Sequence, residues 1–177
     1  MAEYLMETMV RTALWQQFTA AIDMLENAVV ACPETLWQAH LWSDAEGPHY
    51  GTFWEITSHT LFWLDVYLTA EWEEFASPMP FIWNEQEIRR ILPQQPFPKE
   101  VVHAYLIHLR KKCQTTITSL SDERAHQLIA LPSIREKPTS FFELQLSSMR
   151  HVQEHAAQLS LFLGQHAIED APPDWVG

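Results

Sequence analysis

Apolar positions along the chain recur at helical intervals in four stretches. Over about residues 5–31, Leu14, Phe18, Ile22, Leu25 and Val29 follow at steps of three and four. That spacing puts them on one face of a helix, which Pro33 closes. A second helix is predicted over about residues 52–75, ending before Pro78. It opens on Thr52-Phe53-Trp54-Glu55, a capping-box pattern in which hydroxyl and carboxylate satisfy free amide groups reciprocally. A third is predicted over about 98–121, with Pro98 in its first turn and a stripe of Val102, Tyr105, Leu109, Cys113, Thr116 and Leu120. The fourth opens after Pro138 on a second capping box, Ser140-Phe141-Phe142-Glu143, and runs to about Gly164, a natural C-terminal stop. Helices of roughly 22–27 residues would be about 33–40 Å long at a rise of about 1.5 Å per residue, and matched lengths suit a bundle. The expected fold class is therefore all-α, a four-helix bundle with long connecting loops, in one domain over residues 1–177.

The connections are long. The stretch 32–51, with Trp37, His40, Trp42, Gly47, Pro48 and Gly51, reads as a structured loop. Residues 77–97 hold Pro78, Pro80, Pro93 and Pro96 and read as a crossover with one short helix around 85–92. Residues 121–137, with Pro132, read as irregular, and the tail 167–177 is Pro-rich and acidic. Only 4 glycines occur in 177 residues, which disfavours the tight hairpins of an all-β sandwich. The 8 tryptophans read first as bulky core side chains and second as the lining of a pocket.

A net charge of −12, from 11 basic and 23 acidic residues, argues against nucleic acid as a partner, because phosphate neutralisation carries most of that affinity. It also provides no polybasic membrane anchor. No run of about 18 apolar residues occurs, so no membrane span is expected. The first residues lack a charged segment followed by a continuous apolar one, so the expected location is the cytoplasm. Cys32 and Cys113 are expected to be free thiols, one at a helix end and one with core spacing.

The chemical signal lies in the histidines. His151 and His155 are four apart on the fourth helix, so both imidazoles project from one face and can share a metal ion. Leu144, Ser147, Ser148, Gln158 and Phe162 fall on the same side, so the pair is expected to point inward. His59 accompanies Ile56, Phe62, Trp63 and Val66 on a core-facing stripe of the second helix. From the residues alone it is either a third ligand or a core histidine bonded to a hydroxyl or carbonyl. His40, His49, His103, His108, His126 and His166 read as solvated surface groups, and Glu55 as a cap rather than a ligand.

The segment Met149-Arg150-His151-Val152-Gln153-Glu154-His155-Ala156-Ala157-Gln158-Leu159 resembles the Arg-His-x-x-x-His-x-x-Gln-Leu signature of the DinB-like superfamily. Phe53-Trp54-Glu55-Ile56-Thr57-Ser58-His59 resembles that family's aromatic-rich first-ligand motif, and Pro172-Pro173-Asp174-Trp175-Val176 is similar to the tail of some members. Ala157 departs from a glycine common before the Gln-Leu pair. The resemblance implies an up-down-down-up bundle of the DinB-like type, with a divalent metal held by His59, His151 and His155. It also implies chemistry on a small-molecule substrate through a low-molecular-weight thiol, and it admits a homodimer, which exposed aromatics such as Trp72 or Phe75 would serve.

Three neutral imidazoles suit Zn²⁺ or Ni²⁺ and admit Fe²⁺. Three protein ligands leave a position open, as in catalytic sites. Two chemistries follow: hydrolysis by an activated water, or activation of a thiol for attack on an electrophile. The expectation is a metal-dependent thiol transferase or hydrolase. Two alternatives remain: a bundle that binds metal or a small ligand without catalysis, and a plain interaction domain with satisfied core histidines.

Overall fold

The structure, a computed structural model, describes residues 2–42, 51–70, 75, 96–130 and 137–166. Its elements in chain order are α1 (Ala2–Ala31), a 3-10 turn (Glu34–Leu36), α2 (Phe53–Thr69), α3 (Lys99–Thr118), α4 (Asp122–His126), β1 (Leu128–Ile129), β2 (Thr139–Ser140) and α5 (Phe141–Gln165). The protein is mostly helical, as its periodicity predicts. The short helix expected around 85–92, most of the 77–97 crossover, His49, Trp72 and the tail lie outside the described residues.

The four long helices pack in pairs: α1 against α3 and α5, and α2 against α3 and α5. Phe18, Leu25, Trp54, Leu61, Leu106, Leu109, Val152 and Leu159 share one core. Each large side chain taken wholly out of water contributes about 1.5–3 kcal/mol, before the entropy of ordering it is subtracted. Ile117 is buried where the sequence stripe pointed to Thr116, which is half-buried.

Helix boundaries follow local chemistry where a local cap exists. Ser140 accepts from the Glu143 amide at 3.2 Å and starts α5, as the capping box predicts. The α2 box is realised differently: Thr52 is the N-cap but its side chain makes no capping bond. Glu55 instead accepts from the amide of Gly51, at 3.1 Å. Gly51 has φ 74, and a Cβ there would lie 2.8 Å from Nε1 of Trp42, so the turn into α2 demands glycine.

Two expectations need correction. First, α2 ends at Thr69, not near Phe75: Ala70 turns left-handed (φ 54) while its amide donates to the Val66 carbonyl. The stop is made by other helices, since Gln145 Nε2 donates to the Tyr67 carbonyl and Arg124 reaches that of Thr69. Second, the 121–137 connection is not wholly irregular. It holds α4, capped by Ser121, and β1, which pairs antiparallel with β2, Leu128 opposite Ser140 and Ile129 opposite Thr139.

Two further contacts lock the α1–α2 loop to the start of α3. Trp37 Nε1 donates to the Phe97 carbonyl at 2.9 Å. Lys99 Nζ donates to the carbonyls of Val30 and Cys32 at the end of α1, a cation at a helix C-terminus. Cys32 and Cys113 are both buried and free, and burial pushes each thiol up to about 12.

Candidate metal centre

α2 and α5 carry the histidines that the sequence singles out, and their packing brings all three together. His59 Nε2 lies 3.2 Å from His151 Nε2, which in turn lies 3.0 Å from His155 Nε2. One nitrogen from each ring falls within 4.8 Å of the others. The His151 and His155 rings stand perpendicular, with centroids 4.5 Å apart, and the His59 ring is perpendicular to that of His155. The three nitrogens therefore lie close together on rings set at different angles, an arrangement that could hold one ion. Bonds of about 2.0–2.1 Å at tetrahedral angles would separate ligand nitrogens by about 3.3 Å, close to the spacing found.

Hydrogen bonding alone does not satisfy this arrangement. His155 Nδ1 lies 2.8 Å from Gln158 Oε1, and an amide oxygen only accepts. Nδ1 therefore carries the proton and Nε2 presents a lone pair. His151 Nε2–H can donate to that lone pair, but it then has none left for His59. One proton serves one contact; a cation serves all three.

All three rings are half-buried. Burial, reinforced by the two neighbouring imidazoles, lowers the His59 pKa from 6.5 to about 3. Burial and His155 lower that of His151 to about 4. His155 is lowered by burial, against the opposing effects of its bond to Gln158 and the nearby Glu154 carboxylate. At neutral pH the cluster is uncharged and its lone pairs are available, the state a metal requires. His151 Nδ1 is buried without a hydrogen-bond partner among the described residues.

The surroundings differ from expectation in two respects. Phe62, Trp63 and Val66 do not join the main core with Ile56. They form a separate cluster with Tyr67 and Phe75, and the Trp63 ring stands edge-on to His59, 6.3 Å away. Phe75, expected to be exposed, is half-buried and meets Phe62 edge-on at 5.4 Å.

Among the described residues no other histidine or acid joins the triad. His103 pairs with Glu26 of α1 at 2.8 Å. His126 and His166 bond to carbonyls one turn back on their own helices. His108 stacks on Tyr105. Glu154 is exposed. Glu55, bonded to the Gly51 amide just before α2, stays outside the cluster.

Sequence reasoning placed Gln158 on the histidine face without a role; its spacing of three from His155 was the available signal. It missed the Asp65 network, where the buried Asp65 of α2 accepts from Tyr105 and Lys112 of α3, and Lys112 also reaches Thr69. No local pattern marks that network, because its members lie on different helices.

No family model matches the chain, and no curated protein matches it.

Proposed function

We propose that the chain is a DinB-like metalloprotein in which His59, His151 and His155 hold one divalent ion, Zn²⁺ or Ni²⁺ before Fe²⁺. The observation that carries this reading is the grouping of three imidazole nitrogens from two facing helices, with His151 Nε2 at 3.2 Å from that of His59 and 3.0 Å from that of His155. Bundle proteins build metal sites in this way.

Helix directions support one bundle domain of up-down-down-up type. Contacts between α1 and the α3 segment descend as α1 advances: Arg11 to Leu120, Arg110 to Thr19, and His103 to Glu26, so the two run antiparallel. His59 meets His151, and Tyr67 meets Gln145, so α2 and α5 run antiparallel. Asp65 meets Tyr105 and Thr69 meets Lys112, so α2 and α3 run parallel.

An ion held by His59, His151 and His155 would have room for a further ligand and would supply Lewis acidity to a water or a low-molecular-weight thiol. The chain's own part is to keep the imidazoles neutral, to fix their directions and to set Trp63 beside His59 as an apolar wall. We assign the activity to a metal-dependent thiol transferase or hydrolase acting on a small-molecule substrate. A second reading is metal binding without turnover: among the described residues the ligand group consists of three imidazoles and no carboxylate. A homodimer and a cytoplasmic location complete the proposal.

Elemental analysis of tag-free protein tests the centre. About one metal ion per wild-type chain, lost in His59→Ala, is the expected result. No metal in wild type, even after reconstitution, would sink it. A turnover screen with thiols, with metal present and chelated, then separates the two readings.

A further inference from the structure

Metal sites depend on the groups that orient their ligands as well as on the ligands, and the three histidines here are not held alike. His155 has a direct side-chain partner at its outer nitrogen, Gln158, at 2.8 Å and one helical turn away. His151 has none among the described residues, and its Nδ1 is buried. Gln158 is half-buried, and the next residue, Leu159, sits in the core and anchors that turn of α5.

We propose that Gln158 is a positioning residue of the metal centre, whose amide oxygen holds the His155 proton on Nδ1 and so keeps Nε2 free for a metal ion. This rests on the metal-centre reading above and adds a residue to it.

The argument turns on the two faces of the amide. If the Gln158 NH₂ faced the ring, it would donate to Nδ1, the proton would move to Nε2, and His155 would point an N–H at the other two histidines. It would then be unable to bind a metal. The orientation found, with Oε1 toward Nδ1, is the one that leaves a lone pair on Nε2. An acceptor on the outer nitrogen of a ligating histidine also raises its basicity and fixes the ring plane, and losing such a partner typically costs about 10–100-fold in metal affinity. The i, i+3 spacing lets one helix carry both groups, so the bond survives any small shift of α2 against α5.

Two substitutions separate orientation from packing. Gln158→Leu keeps the bulk and removes the acceptor. Gln158→Glu keeps an acceptor and cannot donate when ionised. Zinc affinity of the full chain is measured by competition with a chromophoric chelator. The His155 tautomer is read in the metal-free protein by heteronuclear NMR at mildly alkaline pH, and circular dichroism checks that each variant folds. We expect Gln158→Leu to weaken zinc binding by about 10–100-fold and to release the proton from Nδ1, while Gln158→Glu retains both properties. Wild-type affinity and tautomer in Gln158→Leu would overturn the proposal, as would equal weakening in the two variants. Failure of wild type to bind zinc, nickel or ferrous iron would overturn the metal centre itself. In that case the tautomer decides on Gln158: a proton that stays on Nδ1 in Gln158→Leu rules out its role, and one that leaves supports it.

Discussion

His59 and His151 place their Nε2 atoms 3.2 Å apart although 92 positions separate them in the chain. A single N–H on His151 Nε2 can serve this contact or the 3.0 Å contact with His155, but not both. A metal ion bound there would therefore stabilise the fold as well as occupy a site. At about one hundred times its dissociation constant, such a ligand contributes about 2.7 kcal/mol. Zinc should raise the melting temperature of wild type, and neither His59→Ala nor His155→Ala should respond. Helical content of both variants should stay close to wild type, because the three rings are half-buried rather than central to the core. A zinc-dependent rise in either variant would show that the ion binds elsewhere.

Asp65 holds α2 to α3. It is buried, accepts from the Tyr105 hydroxyl and pairs with Lys112 Nζ at 2.6 Å. Removing one side of a fully buried pair typically costs about 3–5 kcal/mol, and less here, because the Lys112 left behind is 31% exposed and can be hydrated. Asp65→Ala, which leaves the buried Tyr105 hydroxyl without its acceptor, should lose about 1–3 kcal/mol in urea unfolding. Tyr105→Phe, which removes one bond to a charged group, should lose about 1.5–3 kcal/mol. Both should still bind zinc under conditions where they fold. Loss below about 1 kcal/mol for Asp65→Ala would mean that water replaces the carboxylate.

The cysteines are silent by burial. Cys113 is fully enclosed and its thiol is pushed up to about 12 from 9.0. Cys32, also buried, is raised to about 12, mainly by desolvation against the opposing charge of Lys99. Because the folded pKa lies above the unfolded one, the protonated thiol favours the fold below pH about 9, and that contribution fades as pH rises through about 12. Neither thiol should react with a maleimide at neutral pH until the chain unfolds. Both should then react together in denaturant. Labelling of native protein at one site would show that the site opens locally.

The α5 cap is a single hydroxyl. Ser140 accepts from the Glu143 amide and sits in β2, beside β1. Ser140→Ala should cost about 1 kcal/mol, and Ser140→Asp should restore most of it. Chemical denaturation of the three proteins checks this, and equal stability of all three would assign the start of α5 to the ribbon instead.

Much of this was legible in one dimension. Leu14, Phe18, Ile22, Leu25 and Val29 mark the buried face of α1, and Ser140 with Glu143 marks the start of α5, because helical period and capping are local properties of adjacent residues. His151 and His155 share a face for the same reason. The end of α2 was not legible: Gln145 and Arg124, far along the chain, accept the role that glycine plays in a local stop. Nor was Ile117 in place of Thr116 in the α3 stripe, since helix rotation is set by what packs against it.

The sequence by itself determined that this chain is helical, acidic and equipped with an inward histidine pair, because those features depend on residue type and spacing alone. Whether His59 joins that pair, which nitrogen of His155 faces it, and that Asp65 binds Tyr105 and Lys112 were decided only by how α2, α3 and α5 pack. The convergence of groups on separate helices depends on rotation and register between them, and no interval along the chain records those.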